Sequence, residues 1–193
     1  MKIVNDGIYE DLVISDQLLE SFDNCEFYDC VFLSCTTNKS KFTRCNFINC
    51  TFEKSDFSNC TFDGSQFNEC MWKGCRLIGV NWETVKYLIP IKYNFEKCDL
   101  EYSVFSSCKM PESVFTKCRL KEVNFILSDL NKSRFDECDF SGAVISRCKL
   151  KKADFSTSIN YAFDLADNNC KEMLVSYPDL QNLITYHGAT IKE

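Results

Sequence analysis

"CNFINCTFEKSDFSNCTF" (residues 45–62) puts a phenylalanine at every fifth position: Phe47, Phe52, Phe57 and Phe62. A cysteine or serine stands two residues before each of them. The phase runs back through Phe42, Thr37, Phe32 and Phe27 to Phe22, and forward through Phe67, Trp72 and Leu77 to Trp82. It resumes at Phe95 and continues every five residues to Phe155, giving 26 centres in all, large and apolar except Thr37. Sixteen of the 17 phenylalanines and both tryptophans occupy centres, where chance would place about a fifth of them, so the period organises the whole chain. Thirteen of the 14 cysteines occupy the small position two before a centre.

Five residues advance an α-helix by about 500°, so successive phenylalanines would share no face. An odd period also flips every second phenylalanine to the other side of a continuous strand. A chain that turns a corner every five residues satisfies the pattern. Each short side then points one small and one large residue inward, and stacked coils bury both.

In this spacing the sequence resembles the pentapeptide-repeat family, whose unit is roughly A/C-D/N-L/F-x-x. The resemblance implies an all-β fold, a right-handed quadrilateral β-helix with four units per coil. The 26 centres correspond to about six and a half coils, a shaft roughly 30 Å long at about 4.8 Å per layer. The expected organisation is a cap strand over residues 1–21, the β-helix over 22–157 with a phase slip at 83–94, and a capping or dimerising helix and strand over 158–193.

The slip lies at "YLIPIKY". Centres are expected at Trp82 and Tyr87 and then at Pro90 and Phe95, a step of three in place of five. Tyr87, Leu88, Ile89, Pro90 and Ile91 are therefore read as a kink or small loop that packs on its neighbours or touches a partner. The stretch "YEDLVISDQLLES" is read as lacking the repeat, its Leu12 and Ile14 suggesting a strand that covers the first coil. Near the other end, Ser176, Tyr177 and Pro178 mark a helix start, Leu180, Leu183 and Ile184 have helical spacing, and Gly188 marks the stop. "ATIKE" reads as a final strand, and His187 as a capping or surface residue. A helix this short needs something to dock on, the last coil or another chain. Pro178, Leu180, Leu183 and Ile184 are the expected homodimer interface.

A chain of 193 residues fits one domain. The opening "MKIVNDGIYEDLV" does not have the form of a secretory signal, and no apolar stretch is long enough for a membrane span, so a cytoplasmic location and no membrane association are expected. Fourteen cysteines raise disulfides or zinc, but their spacing is the repeat itself and only one histidine is present, so packing is the expected role. No glycine-rich phosphate loop or triad-like cluster stands out, and the expectation is a non-catalytic protein without cofactor or metal.

Net charge is −6, unevenly spread: residues 1–30 hold eight acids and one lysine, residues 31–94 five acids and eight bases. Direct nucleic-acid binding would favour a basic stripe and is not expected. Lys109, Lys132, Lys149, Lys151 and Lys152 share one inferred side of the later coils, read as a solvated face. "CRLIGVNW", the irregular segment after it, "FEKCDLEYSVF" and the tail from "ADFSTSINYAF" onward are closest in layout to the albicidin-resistance, microcin B17 immunity and quinolone-resistance members of the family. That resemblance implies a rod-like dimer that mimics B-DNA, binds DNA gyrase or topoisomerase IV, and protects it from a poison. The expected partner-binding residues are Glu26, Asp29, Asn46, Asn49, Asn68 and Glu69 with Gln66 on one early side, and Asp99 and Glu101 with Asp139 on a later side. The alternative is an interaction scaffold with no topoisomerase role.

Overall fold

The structure, a computed structural model, describes residues 2–86 and 90–192. Most five-residue units do the same work. The centre and the residue two before it point inward, the residues on either side of the centre point out, and the residue two after it turns the corner. That corner residue has a left-handed backbone, as at Asn24 (φ 54°), Asp29 (54°), Lys54 (50°), Glu69 (55°) and Leu127 (61°). Four corners complete a coil, and successive coils pair in parallel: Phe27 with Phe47 and Phe47 with Phe67, Phe32 with Phe52 and Phe52 with Trp72.

The four sides are numbered here in the order the chain visits them. Tyr9, Phe27, Phe47 and Phe67 open the first stack. Ile14, Phe32, Phe52, Trp72, Phe95, Phe115, Phe135, Phe155 and Val175 form the second. Leu19, Thr37, Phe57, Leu77, Leu100, Leu120 and Phe140 belong to the third, and Phe22, Phe42, Phe62, Trp82, Phe105, Phe125 and Ile145 to the fourth. The second side is an unbroken nine-stranded parallel sheet. The solenoid therefore has about eight turns, more than the six and a half expected, because the coil continues beyond the phenylalanine run at both ends.

Rings stack along the shaft, with centroids 4.8 Å apart for Phe32–Phe52, 3.9 Å for Phe52–Trp72 and 5.0 Å for Phe115–Phe135. The small inward position has a polar task as well as a steric one. Its side chain donates to the carbonyl of a centre one coil earlier: Cys70 to Phe47 (3.4 Å), Cys75 to Phe52 (3.3 Å), Ser65 to Phe42 (2.7 Å) and Ser128 to Phe105 (2.6 Å). A small side chain with a donor satisfies a buried carbonyl without crowding the stack, which explains why cysteine and serine recur there. The thirteen repeat cysteines are all buried and all reduced.

Three expectations are corrected. Residues 8–19 do not form one cap strand. They make three strands, β1 (Ile8–Glu10), β2 (Val13–Ser15) and β3 (Leu18–Leu19), which pair in parallel with the next coil at a spacing of 18 residues. Tyr9, Ile14 and Leu19 are centres at the usual spacing, and the slip to Phe22 shortens this first coil.

At the second slip Trp72 pairs with Phe95, 23 residues on, and Arg76 with Asp99, where the coils away from the two slips advance by 20. Pro90 is exposed and is not a centre. It has no N–H to give the ladder, and Ile91 enters the core instead, donating its N–H to the Lys109 carbonyl (3.1 Å). Tyr87, Leu88 and Ile89 lie outside the described residues.

Among the described residues, 189–192 form no strand. The last strand is Leu174–Val175, before the helix, and it extends the second side. The helix spans Tyr177–Tyr186, with Ser176 Oγ accepting from the Asp179 N–H (3.3 Å), Pro178 in the first turn, His187 as C-cap and Gly188 in the left-handed conformation (φ 77°). Leu183 is buried and Leu180 packs partly against the core, so the helix closes the end of the solenoid within its own chain. Among the described residues no helix is long and apolar enough to cross a membrane.

Candidate functional site

On the first side the outward positions of the first four coils are Ile8 and Glu10, Glu26 and Tyr28, Asn46 and Ile48, Gln66 and Asn68. Parallel pairing stacks Ile8, Glu26, Asn46 and Gln66 in one column and Glu10, Tyr28, Ile48 and Asn68 in another. The corner beside them carries Asp11, Asp29, Asn49 and Glu69, all with left-handed backbones. No lysine or arginine occupies this stretch among the described residues. Asn49 donates to Asp29, and the Tyr28 hydroxyl donates to Glu26, which holds the phenol above its ordinary pKa of 10.0. The six early residues expected at a partner surface are therefore brought together. Tyr28 and Ile48 also belong to the surface, although an acid-and-amide criterion passes over them.

Asp99 and Glu101 do not join this surface. They flank Leu100 on the third side, opposite the first, and share that later side with Asp139, as expected. Glu101 is 9% exposed and is engaged by Arg119 (2.7 Å) and Lys121 (3.6 Å). Asp99 pairs with Arg119 (3.4 Å). Asp99 stands in a ladder of alternating charge, Asp56, Arg76, Asp99, Arg119 and Asp139, joined coil to coil by backbone bridges. Arg76 also reaches Asp56 (3.2 Å). The third side is thus internally neutralised, and Glu101 is a poor candidate for contact with a partner.

Further along, the first side reverses sign. Lys109, Asp129, Lys149 and Asn169 align in one column, with Lys151 beside Leu150 and Lys132 and Lys152 at corners. Several of these cations are paired: Lys132 with Glu112 (3.2 Å), Lys149 with Asp129 (3.3 Å) and Lys152 with Glu172 (3.3 Å). Lys92 and Lys132 together hold the Glu112 carboxyl below its usual pKa. Pro178 and Ile184, expected at a dimer interface, are exposed, but Leu183 is already used within the chain. At this end Leu174, Tyr177 and Tyr186 are exposed too. Among the described residues no three or more histidine, cysteine or acidic side chains are grouped to hold a metal ion.

A model of pentapeptide repeats in nine copies matches residues 22–81, and a model of the pentapeptide repeat region matches residues 92–162. The chain belongs to the pentapeptide-repeat family. None of the curated protein sequences matches it. Among solved structures, trypsin-treated QnrB1, a plasmid-mediated fluoroquinolone resistance protein, is similar at 17% identity and a TM-score of 0.54, over 95% of this chain and 99% of that one. HetL, a pentapeptide-repeat protein involved in heterocyst differentiation regulation in the cyanobacterium Nostoc, is similar at 11% identity and a TM-score of 0.46, over 90% and 85%. These likenesses concern the fold.

Proposed function

We propose that this pentapeptide-repeat protein is a non-catalytic, cytoplasmic DNA mimic that binds a type II topoisomerase, DNA gyrase or topoisomerase IV, and confers immunity or resistance to a topoisomerase poison. The layout shared with the topoisomerase-binding members of the family motivates the choice of partner. The observation that carries it is the acid-and-amide surface of the early first side. Glu26, Asp29 and Glu69 project from a rigid shaft with no ion-pair partner among the described residues, Lys86 entering the column only one coil beyond Gln66, and a cationic DNA groove recognises regularly spaced negative charge. The proposal includes a homodimer through the C-terminal end, where Tyr177, Ile184 and Tyr186 leave apolar surface beyond the part that Leu183 uses in capping.

The test is gyrase pull-down and supercoiling inhibition across a salt series, for the wild type and for Glu26→Lys, Asp29→Lys and Glu69→Lys combined. The fold tolerates these changes, since lysine already occupies left-handed corners at Lys39, Lys54 and Lys97 and the outward position before a centre at Lys41 and Lys109. The wild type should inhibit at low salt and lose affinity as salt rises, and the triple variant should inhibit weakly. No inhibition by the wild type at low salt rejects the reading in favour of an interaction scaffold. That alternative draws support from the third side, where paired charges leave little net field.

A further inference from the structure

We infer that the N-terminal end of the solenoid is a second docking site, for an extended cationic segment of another protein that adds as a strand to the first coil. The inference is independent of the topoisomerase reading. Among the described residues strands β1, β2 and β3 each have a single neighbour, the next coil, and no backbone partner on their other edges. Beside β3 the shortened corner between Leu19 and Phe22 opens a cleft of about 420 Å³ lined by Lys2, Ile3, Leu18, Leu19, Glu20 and Phe22. Its floor is the buried Leu19 and Phe22, and Leu18 stands 62% exposed at the rim. A free strand edge beside an apolar pocket is the arrangement in which added strands gain affinity from main-chain bonds and selectivity from alternate side chains.

Charge selects the occupant. Asp6, Glu10, Asp11, Asp16 and Glu20 surround this end, and Lys2 is the one cation of the first coil. Among the described residues Asp16 and Glu20 have no ion-pair partner. A second copy of the chain stacked end to end would set the same acids against each other, and charge on an edge opposes such pairing. A strand carrying lysine or arginine on one face and an apolar side chain on the other satisfies acids, edge and cleft together.

The test uses the full chain and three fluorescent octapeptides: alternating Lys and Val, alternating Glu and Val, and the Lys–Val peptide N-methylated at alternate residues. Anisotropy should show saturable binding of the Lys–Val peptide about tenfold tighter than either of the others. Asp16→Asn with Glu20→Gln should weaken it several-fold without changing the thermal unfolding midpoint, and Glu69→Lys should leave it unchanged. Equal binding of the N-methylated peptide would mean that charge alone acts and would overturn strand addition. Insensitivity to the Asp16 and Glu20 changes, loss of binding in Glu69→Lys, or no binding by the wild type would overturn the site.

Discussion

Leu127 shows what the corners cost. Its backbone is left-handed (φ 61°) and its side chain is 53% exposed, so it pays the clash between Cβ and carbonyl with little burial in return. Asparagine tolerates this conformation better. Leu127→Asn should therefore raise stability by about 1 kcal/mol, read from the urea midpoint. Gly142→Ala should do the opposite, because at φ +71° its added Cβ would stand 2.6 Å from a Glu122 carboxylate oxygen. Inside the coil, truncating a ring such as Phe52, packed between Phe32 and Trp72, should cost about 3–5 kcal/mol by chemical denaturation. The thiols impose a pH limit. Burial pushes Cys45 and Cys108 from the ordinary 9.0 up to about 12, so they stay protonated in the folded chain while the unfolded chain ionises near 9. Their contribution is fully present below pH 9 and is lost as pH rises from there towards 12. Urea midpoints under reducing conditions should fall over that range, and less steeply in Cys45→Ala with Cys108→Ala than in the wild type.

At the scale of the element, the repeating unit was legible in the sequence because its core is one residue type at one spacing. The ends were less so. Tyr9, Ile14 and Leu19 keep the five-residue step, but Gly7, Leu12 and Gln17 replace the cysteine or serine two places before, and the 18-residue coil puts them out of phase with Phe22. The second slip was legible as a step of three, and the coil is longer by that amount, but backbone hydrogen bonding decides that Ile91, not Pro90, enters the core. The early candidate surface was legible because Glu26 through Glu69 lie in uninterrupted phase. Asp99, Glu101 and Asp139 do share one later side, as their spacing suggested, but the ion pairs that occupy them there were not legible from spacing alone. The helix was readable from its caps, whereas the burial of Leu183 depends on a coil end that no local pattern reveals. Leu183→Asp should consequently unfold the C-terminal end by placing a charge in the core, seen as a lower melting midpoint at every concentration. Ile184→Asp, on exposed surface, is the cleaner probe of association: it should shift light scattering from dimer to monomer while leaving that midpoint within a few degrees at concentrations where both are monomeric.

The whole molecule is a shaft whose opposite sides solve the charge problem differently. The first side concentrates acids at one end and paired lysines at the other, while the third alternates signs along its length so that each charge meets its opposite in the next coil. A charge change should therefore have separable consequences. Asp99→Lys would align Arg76, a new cation and Arg119 in consecutive coils, about 4.8 Å apart, replacing attraction by repulsion. The groups are partly exposed, so the loss should be modest, about 1 kcal/mol, and should shrink in 0.5 M salt. Partner binding should be untouched, because this side faces away from the acid-and-amide surface. Glu69→Lys should behave in the converse way: Asn49 is its neighbour in the preceding coil and no ion pair among the described residues is lost, so stability should hold while binding to gyrase weakens. Measuring both variants for urea midpoint and for supercoiling inhibition separates the two sides. Loss of inhibition in Asp99→Lys with none in Glu69→Lys would move the partner surface to the third side, and the alternating ladder would then be a recognition element in its own right.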